Sequence, residues 1–142
     1  MKTVKHILET KGREVWSVHP DDSVLTALQL MAEKEIGALV VMAEDRVVGI
    51  ISERDYARKV ILLGKSSQDT PTRDIMTTQV VVARLDQTVE ECMALVTARR
   101  IRHLPVLEGE RLVGLVSIGD LVKTMLEEQQ FKIEQLENYI TS

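Results

Sequence analysis

The 142-residue sequence predicts an α/β (α+β) fold built from two copies of a β-α-β-β-α unit, related by a pseudo-two-fold axis and followed by an extended C-terminal helix. Three observations predict it. The chain matches itself without a gap at an offset of 65 (80 − 15), residues 15–55 lying on 80–120. Twelve aligned positions are identical, where chance at average composition gives roughly two or three. Within each copy, apolar residues recur at helical and strand periods in the same order. Each copy also closes on one phrase, "GIISERD" at 49–55 and "GLVSIGD" at 114–120: glycine, apolar strand, serine, two free positions, aspartate.

Residues 15–18 read as a short strand, and "HPDDS" after it supplies turn and N-cap residues. Val24, Ala27, Leu28 and Met31 follow the i, i+3, i+4, i+7 rule, as do Val89, Cys92, Met93 and Val96. Each set is the apolar stripe of an amphipathic helix. The apolar runs 38–42 and 104–107 come next, each ending in an acidic turn (Glu44-Asp45; Glu108-Gly109-Glu110). Strands at 47–51 and 112–116 complete two hairpins. A further helix follows each "SxxD", one from about residue 53 to 63 and one from about 118 onward. A weaker echo precedes each copy, "VKHIL" at 4–8 resembling "TRDIM" at 72–76. The division that follows is 1–64 for the first repeat with its N-terminal segment, 65–71 for a polar linker, and 72–142 for the second repeat with the C-terminal helix. One copy is too small to bury both helices and a sheet, so the two are expected to pack sheet against sheet.

Composition narrows the function. The net charge of −4 argues against a cationic face for nucleic acid or anionic membranes. Aromatics, at 3%, are too few for base-stacking platforms. No apolar run reaches spanning length, the start lacks a signal-peptide core, and the single cysteine fits a reducing compartment. A cytoplasmic protein is the expectation. His6, His19 and His103 lack metal-ligand spacing, no phosphate-loop or dinucleotide motif occurs, and no catalytic partnership is legible. An enzyme is therefore not expected, nor a catalytic cofactor or metal.

Duplicated β-α-β-β-α units ending in "hhGhhSxxD", with "RHLPV" at 102–106, resemble tandem cystathionine-β-synthase (CBS) domains of the stand-alone type. The resemblance runs from "VKHIL" to at least Lys123. It implies a regulatory module that binds an adenosine-containing ligand (AMP, ATP or NAD) in clefts between the copies, without catalysis, and modulates a separate protein. Disc-like homodimers are also implied.

A serine followed three residues later by an acid is a capping box. A carboxylate at a helix start can equally accept hydrogen bonds from ribose hydroxyls. The recurrence in both copies, inside the family pattern, favours ribose sites at Ser52/Asp55 and Ser117/Asp120, and one helix start can serve both roles. The family pattern brings Arg102 and His103 toward ligand phosphate, a task that suits a fixed bidentate cation. Their first-copy counterparts are uncharged Gly37 and Ala38, so the second site should be the stronger for a nucleotide. Arg54 is a further candidate, opposite Gly119 in the second copy. Pro105, Val80 and Trp16 complete the ligand-binding set, Trp16 being read as core or cleft wall with an adenine-side contact allowed. Arg99 and Arg100 complement a helix C-terminus, and Cys92 is core. Leu126, Ile133, Leu136 and Ile140 are heptad-spaced, with Gln129 interrupting, so the tail either packs on its own domain or joins two copies. The alternative to a sensor is a ligand-independent dimerising scaffold.

Overall fold

The computed structural model describes residues 1–141. The order of elements is α1 (Val4–Lys11), β1 (Ser17–Val18), α2 (Val24–Lys34), β2 (Ala38–Ala43), β3 (Arg46–Ser52), α3 (Glu53–Tyr56) running into a π-helical turn (Ala57–Ile61), a 3-10 turn (Thr72–Asp74), α4 (Val89–Arg99), β4 (His103–Glu108), β5 (Arg111–Ser117) and α5 (Ile118–Thr141). This is the mixed α/β architecture expected, with the long last helix present. Contacts divide the chain into two compact units. One joins Met1–Arg13 to Val82–Glu108 and the chain from Val113 on; the other joins Glu14–Val81 to Gly109–Leu112.

In the unit built on the first copy, β1 runs parallel to β2 and β2 antiparallel to β3. Residues Ala38 to Val41 are buried on both faces, so β2 reads as a continuous apolar run rather than an alternating one. Glu44 and Asp45 both take left-handed φ (52° and 61°), the two-residue hairpin geometry that matches strand twist. Val24, Ala27 and Met31 of α2 bury the expected stripe, beneath Leu39, Val41 and Ile51. In the other unit Val89, Cys92 and Val96 do the same.

The first strand of each copy is shorter than its sequence suggests. Only Ser17 and Val18 pair in the first copy, and in the second the strand shrinks to a single parallel bridge, Ala83 to Val106. Ala83 still bonds both sides of it, its N–H to the Pro105 carbonyl at 2.9 Å and its carbonyl to the Leu107 N–H at 2.9 Å. The left-handed C-caps of α2 and α4 also correspond, at Glu35 (φ 56°) and Arg100 (φ 54°).

The echo "VKHIL"/"TRDIM" has a structural meaning that periodicity did not reveal. Val4 N–H bonds Gln87 C=O (2.9 Å), Lys5 N–H bonds Leu85 C=O (3.0 Å) and Val89 N–H bonds Lys2 C=O (3.0 Å). The same three bonds recur as Thr72 to Asp22 (2.8 Å), Arg73 to Pro20 (2.9 Å) and Val24 to Thr70 (2.9 Å). Each leader segment thus binds the copy it does not precede in sequence: α1 belongs to the second copy's unit, and the stretch around the 3-10 turn to the first. This grouping differs from the division by repeat because backbone bonding, not sequence order, decides it. The glycines of the shared phrase explain the attachment. A Cβ at Gly114 would lie 2.6 Å from Leu8 Cδ1, and one at Gly49 would lie 2.7 Å from Met76 Sδ and 2.9 Å from the Thr77 carbonyl. Both glycines are notches for the incoming segment.

Candidate ligand-binding site

Each serine–aspartate pair sits where a strand becomes a helix, β3 into α3 and β5 into α5. Ser52 N–H donates to Asp55 Oδ2 (3.0 Å), Ser52 Oγ to the same oxygen (3.0 Å), and Asp55 N–H donates back to Ser52 Oγ (3.2 Å). In the second copy Ser117 N–H donates to Asp120 Oδ2 (2.8 Å) and Asp120 N–H to Ser117 Oγ (3.1 Å). The capping box is therefore realised in both copies. It locks serine and carboxylate at a helix start, with both side chains half-buried. Corresponding backbone bonds brace the two sites, Glu53 N–H to Gly37 C=O (3.1 Å) and Ile118 N–H to Arg102 C=O (2.8 Å).

The two surroundings differ. In the second copy Arg102 is exposed beside half-buried His103, with Pro105 buried two residues on. Burial, then the Lys11 ammonium, pushes the His103 imidazole below its ordinary value; Asp120 opposes this and Arg102 adds to it. In the first copy, a hollow of about 290 Å³ beside Gly37 is lined by Glu35 and Glu53. Their second-copy counterparts are Arg100 and Ile118, so acids stand where the second copy has a cation and an apolar residue. Arg54 is exposed.

Both carboxylates also hold a lysine. Lys59 Nζ lies 3.2 Å from Asp55 Oδ1 and donates to the Ile75 carbonyl (2.9 Å). Lys11 Nζ lies 2.7 Å from Asp120 Oδ2 and donates to the Leu115 carbonyl (3.0 Å). Burial alone would raise the Asp120 pKa, but the Lys11 and Ser117 hydrogen bonds outweigh it and hold the carboxyl below its ordinary range. Sequence reasoning missed both lysines. Lys59 was within reach as an i,i+4 pair; Lys11 was not, being 109 residues from its partner.

The remaining candidates sit close to the core. Trp16 packs half-buried against the core of the first copy's unit, with Lys34 Nζ 4.1 Å above its ring, a cation–π contact. Val80 is half-buried and outside any strand. Cys92 is buried, and burial raises its thiol pKa, as suits a small core residue. Among the described residues no cluster has a metal-ligating composition, and no helix is long and apolar enough to cross a membrane.

The family model described as "CBS domain" matches twice, at residues 4–61 and 73–127. The chain belongs to the CBS-domain family. Its CBS pair is 36% identical to the mitochondrial CBS domain-containing protein CBSX3 of Arabidopsis thaliana, over 97% of this chain and 71% of that one. Among solved structures, the CBS-domain protein NE2398 is 53% identical with a TM-score of 0.85, covering 88% of this chain and 98% of that one. The CBS pair of MJ0100, solved with 5′-methylthioadenosine and S-adenosyl-L-methionine, is 25% identical with a TM-score of 0.80, covering 90% and 98%. The fold of this chain is that of the CBS pair, two repeats with mixed helices and short sheets.

Proposed function

We propose that this CBS pair is a non-catalytic regulatory module that binds an adenosine-containing ligand and modulates a separate protein. The observation that carries the reading is the rigid serine–aspartate element, repeated with the same hydrogen bonds at two helix starts. Ser52/Asp55 and Ser117/Asp120 are assigned to riboses, with Pro105, Val80 and Trp16 as apolar surroundings and Arg54 as an accessory cation. Arg102 and His103 are assigned to phosphate. That makes the second site the stronger for AMP, ATP or NAD, since its twin is flanked by Glu35 and Glu53. The adenosine compounds bound by MJ0100 support the ligand class. The cytoplasm is the proposed compartment, on the single buried cysteine.

Thermal-shift titration with AMP, ADP, ATP, NAD and S-adenosylmethionine tests the reading, because a ligand of the folded state raises the midpoint with concentration. Asp120→Ala should weaken the active ligand by about 1.5–3 kcal/mol, the range for hydrogen bonds to a charged group. Its far-UV circular dichroism should stay unchanged. A second reading, the ligand-independent scaffold, is favoured by one observation: both carboxylates are already occupied by lysine and serine. Millimolar failure of all five ligands would establish it instead.

The proposed assembly is a homodimer through α5. Leu126, Ile133, Leu136 and Ile140 are 49–79% exposed, so the tail does not fold back over them. Val122, Leu126, Gln129 and Ile133 lie exposed along one stripe of the helix. A 3.5-residue seam presents knobs and holes that fit a copy of itself, and a Gln129 layer would fix the register. Leu136→Lys should lower the sedimentation-derived mass from twice 16.0 kDa to 16.0 kDa. An unchanged dimer would place the interface elsewhere.

A further inference from the structure

Lys11 comes from the last turn of α1 and is held to the site by the attachment of its whole helix. Its ammonium sits between the Asp120 carboxylate (2.7 Å) and the Leu115 carbonyl (3.0 Å), while its side chain remains 38% exposed. It therefore has both a fixed anchor and room to move. Gly12 follows it at φ 99°, a conformation that favours glycine, and ends α1 directly after the lysine. A small cleft beside Asp120 is also lined by Lys2, which pairs with Glu127 at 3.8 Å, and by the exposed Lys123.

We infer that Lys11 is a ligand-site residue with two partners in turn, the Asp120 carboxylate in the free protein and the anionic group of a bound nucleotide. The inference rests on the ribose assignment for Asp120. A ribose diol that spans both carboxylate oxygens must displace the ammonium, which holds Oδ2. A neutral nucleoside offers Lys11 nothing in return, so part of its binding is spent on breaking the pair. A 5′-phosphate supplies a new anion within the sweep of a four-carbon arm. Lys11 thus penalises uncharged adenosine and rewards its phosphorylated form, and the second site discriminates through a residue of the leader segment that precedes the first copy. In the first site the lysine on Asp55, Lys59, comes instead from the π-helical turn that follows it in the same repeat.

The test is calorimetric titration of the full chain with AMP and with adenosine. In Lys11→Met, AMP should weaken about tenfold, the lower range for a charge-assisted hydrogen bond, while adenosine tightens severalfold. Lys11→Arg keeps the charge and should retain the wild-type preference. Equal changes for the two ligands in Lys11→Met, in either direction, would overturn the inference and leave Lys11 a pin for α1. Should Lys11→Met fail to fold, the neutral, hydrogen-bonding Lys11→Gln replaces it with the same expected split. Wild-type protein that binds neither compound would instead remove the ribose assignment itself, a failure visible before any variant is made.

Discussion

Gly49→Val should destabilise the protein by about 1–3 kcal/mol, near the upper end, and lower its melting midpoint by roughly 6–12 °C. The cause is a notch rather than a backbone angle. Gly49 has an ordinary strand conformation, but Met76 and the Thr77 carbonyl pass directly over it. Ile50 and Thr77 exchange two backbone hydrogen bonds there, at 3.0 and 2.8 Å, so the obstructing strand segment cannot retreat without breaking them. Part of the collision is with backbone, which side-chain rotation cannot relieve. Differential scanning calorimetry checks the magnitude; a shift below about 2 °C would mean that the segment yields.

Leu8→Ala is expected to cost about 2–5 kcal/mol, the range for a buried leucine that leaves a cavity. Leu8 is 1% exposed and its two methyls fill the space above Gly114. The pair should therefore be strongly coupled. Gly114→Val alone drives its methyls into Leu8, whereas in a Leu8→Ala background the same methyls occupy the vacated space. A double-mutant cycle by urea denaturation should return a coupling energy on the order of 1–3 kcal/mol, with the double variant more stable than the two losses summed. Additive losses would show that Leu8 and Gly114 do not share that space.

Much of this was readable in the linear sequence, for definite reasons. Val24, Ala27 and Met31, or Val89, Cys92 and Val96, must share a face once the period is helical, so both stripes were legible. The serine–aspartate pair was legible because its partners lie three residues apart. The glycine of the same phrase was legible as a repeated letter but not as a notch, since its obstructing partner lies far along the chain. Lys11 was hidden for the same reason: no local pattern joins a lysine at the end of α1 to an aspartate 109 residues away. The short first strands escaped because Val15, Val80 and Val81 have strand propensity, yet ladder bonds form only at Ser17, Val18 and Ala83. Propensity cannot tell which strand will find a neighbour.

The crossed attachment of the two leader segments also makes the halves of the chain interdependent. Each copy is completed by the leader that stands directly before the other, so neither half carries all of its own unit. Scission between residues 65 and 71 would consequently yield two pieces, each holding the other's missing part, that reconstitute only when mixed.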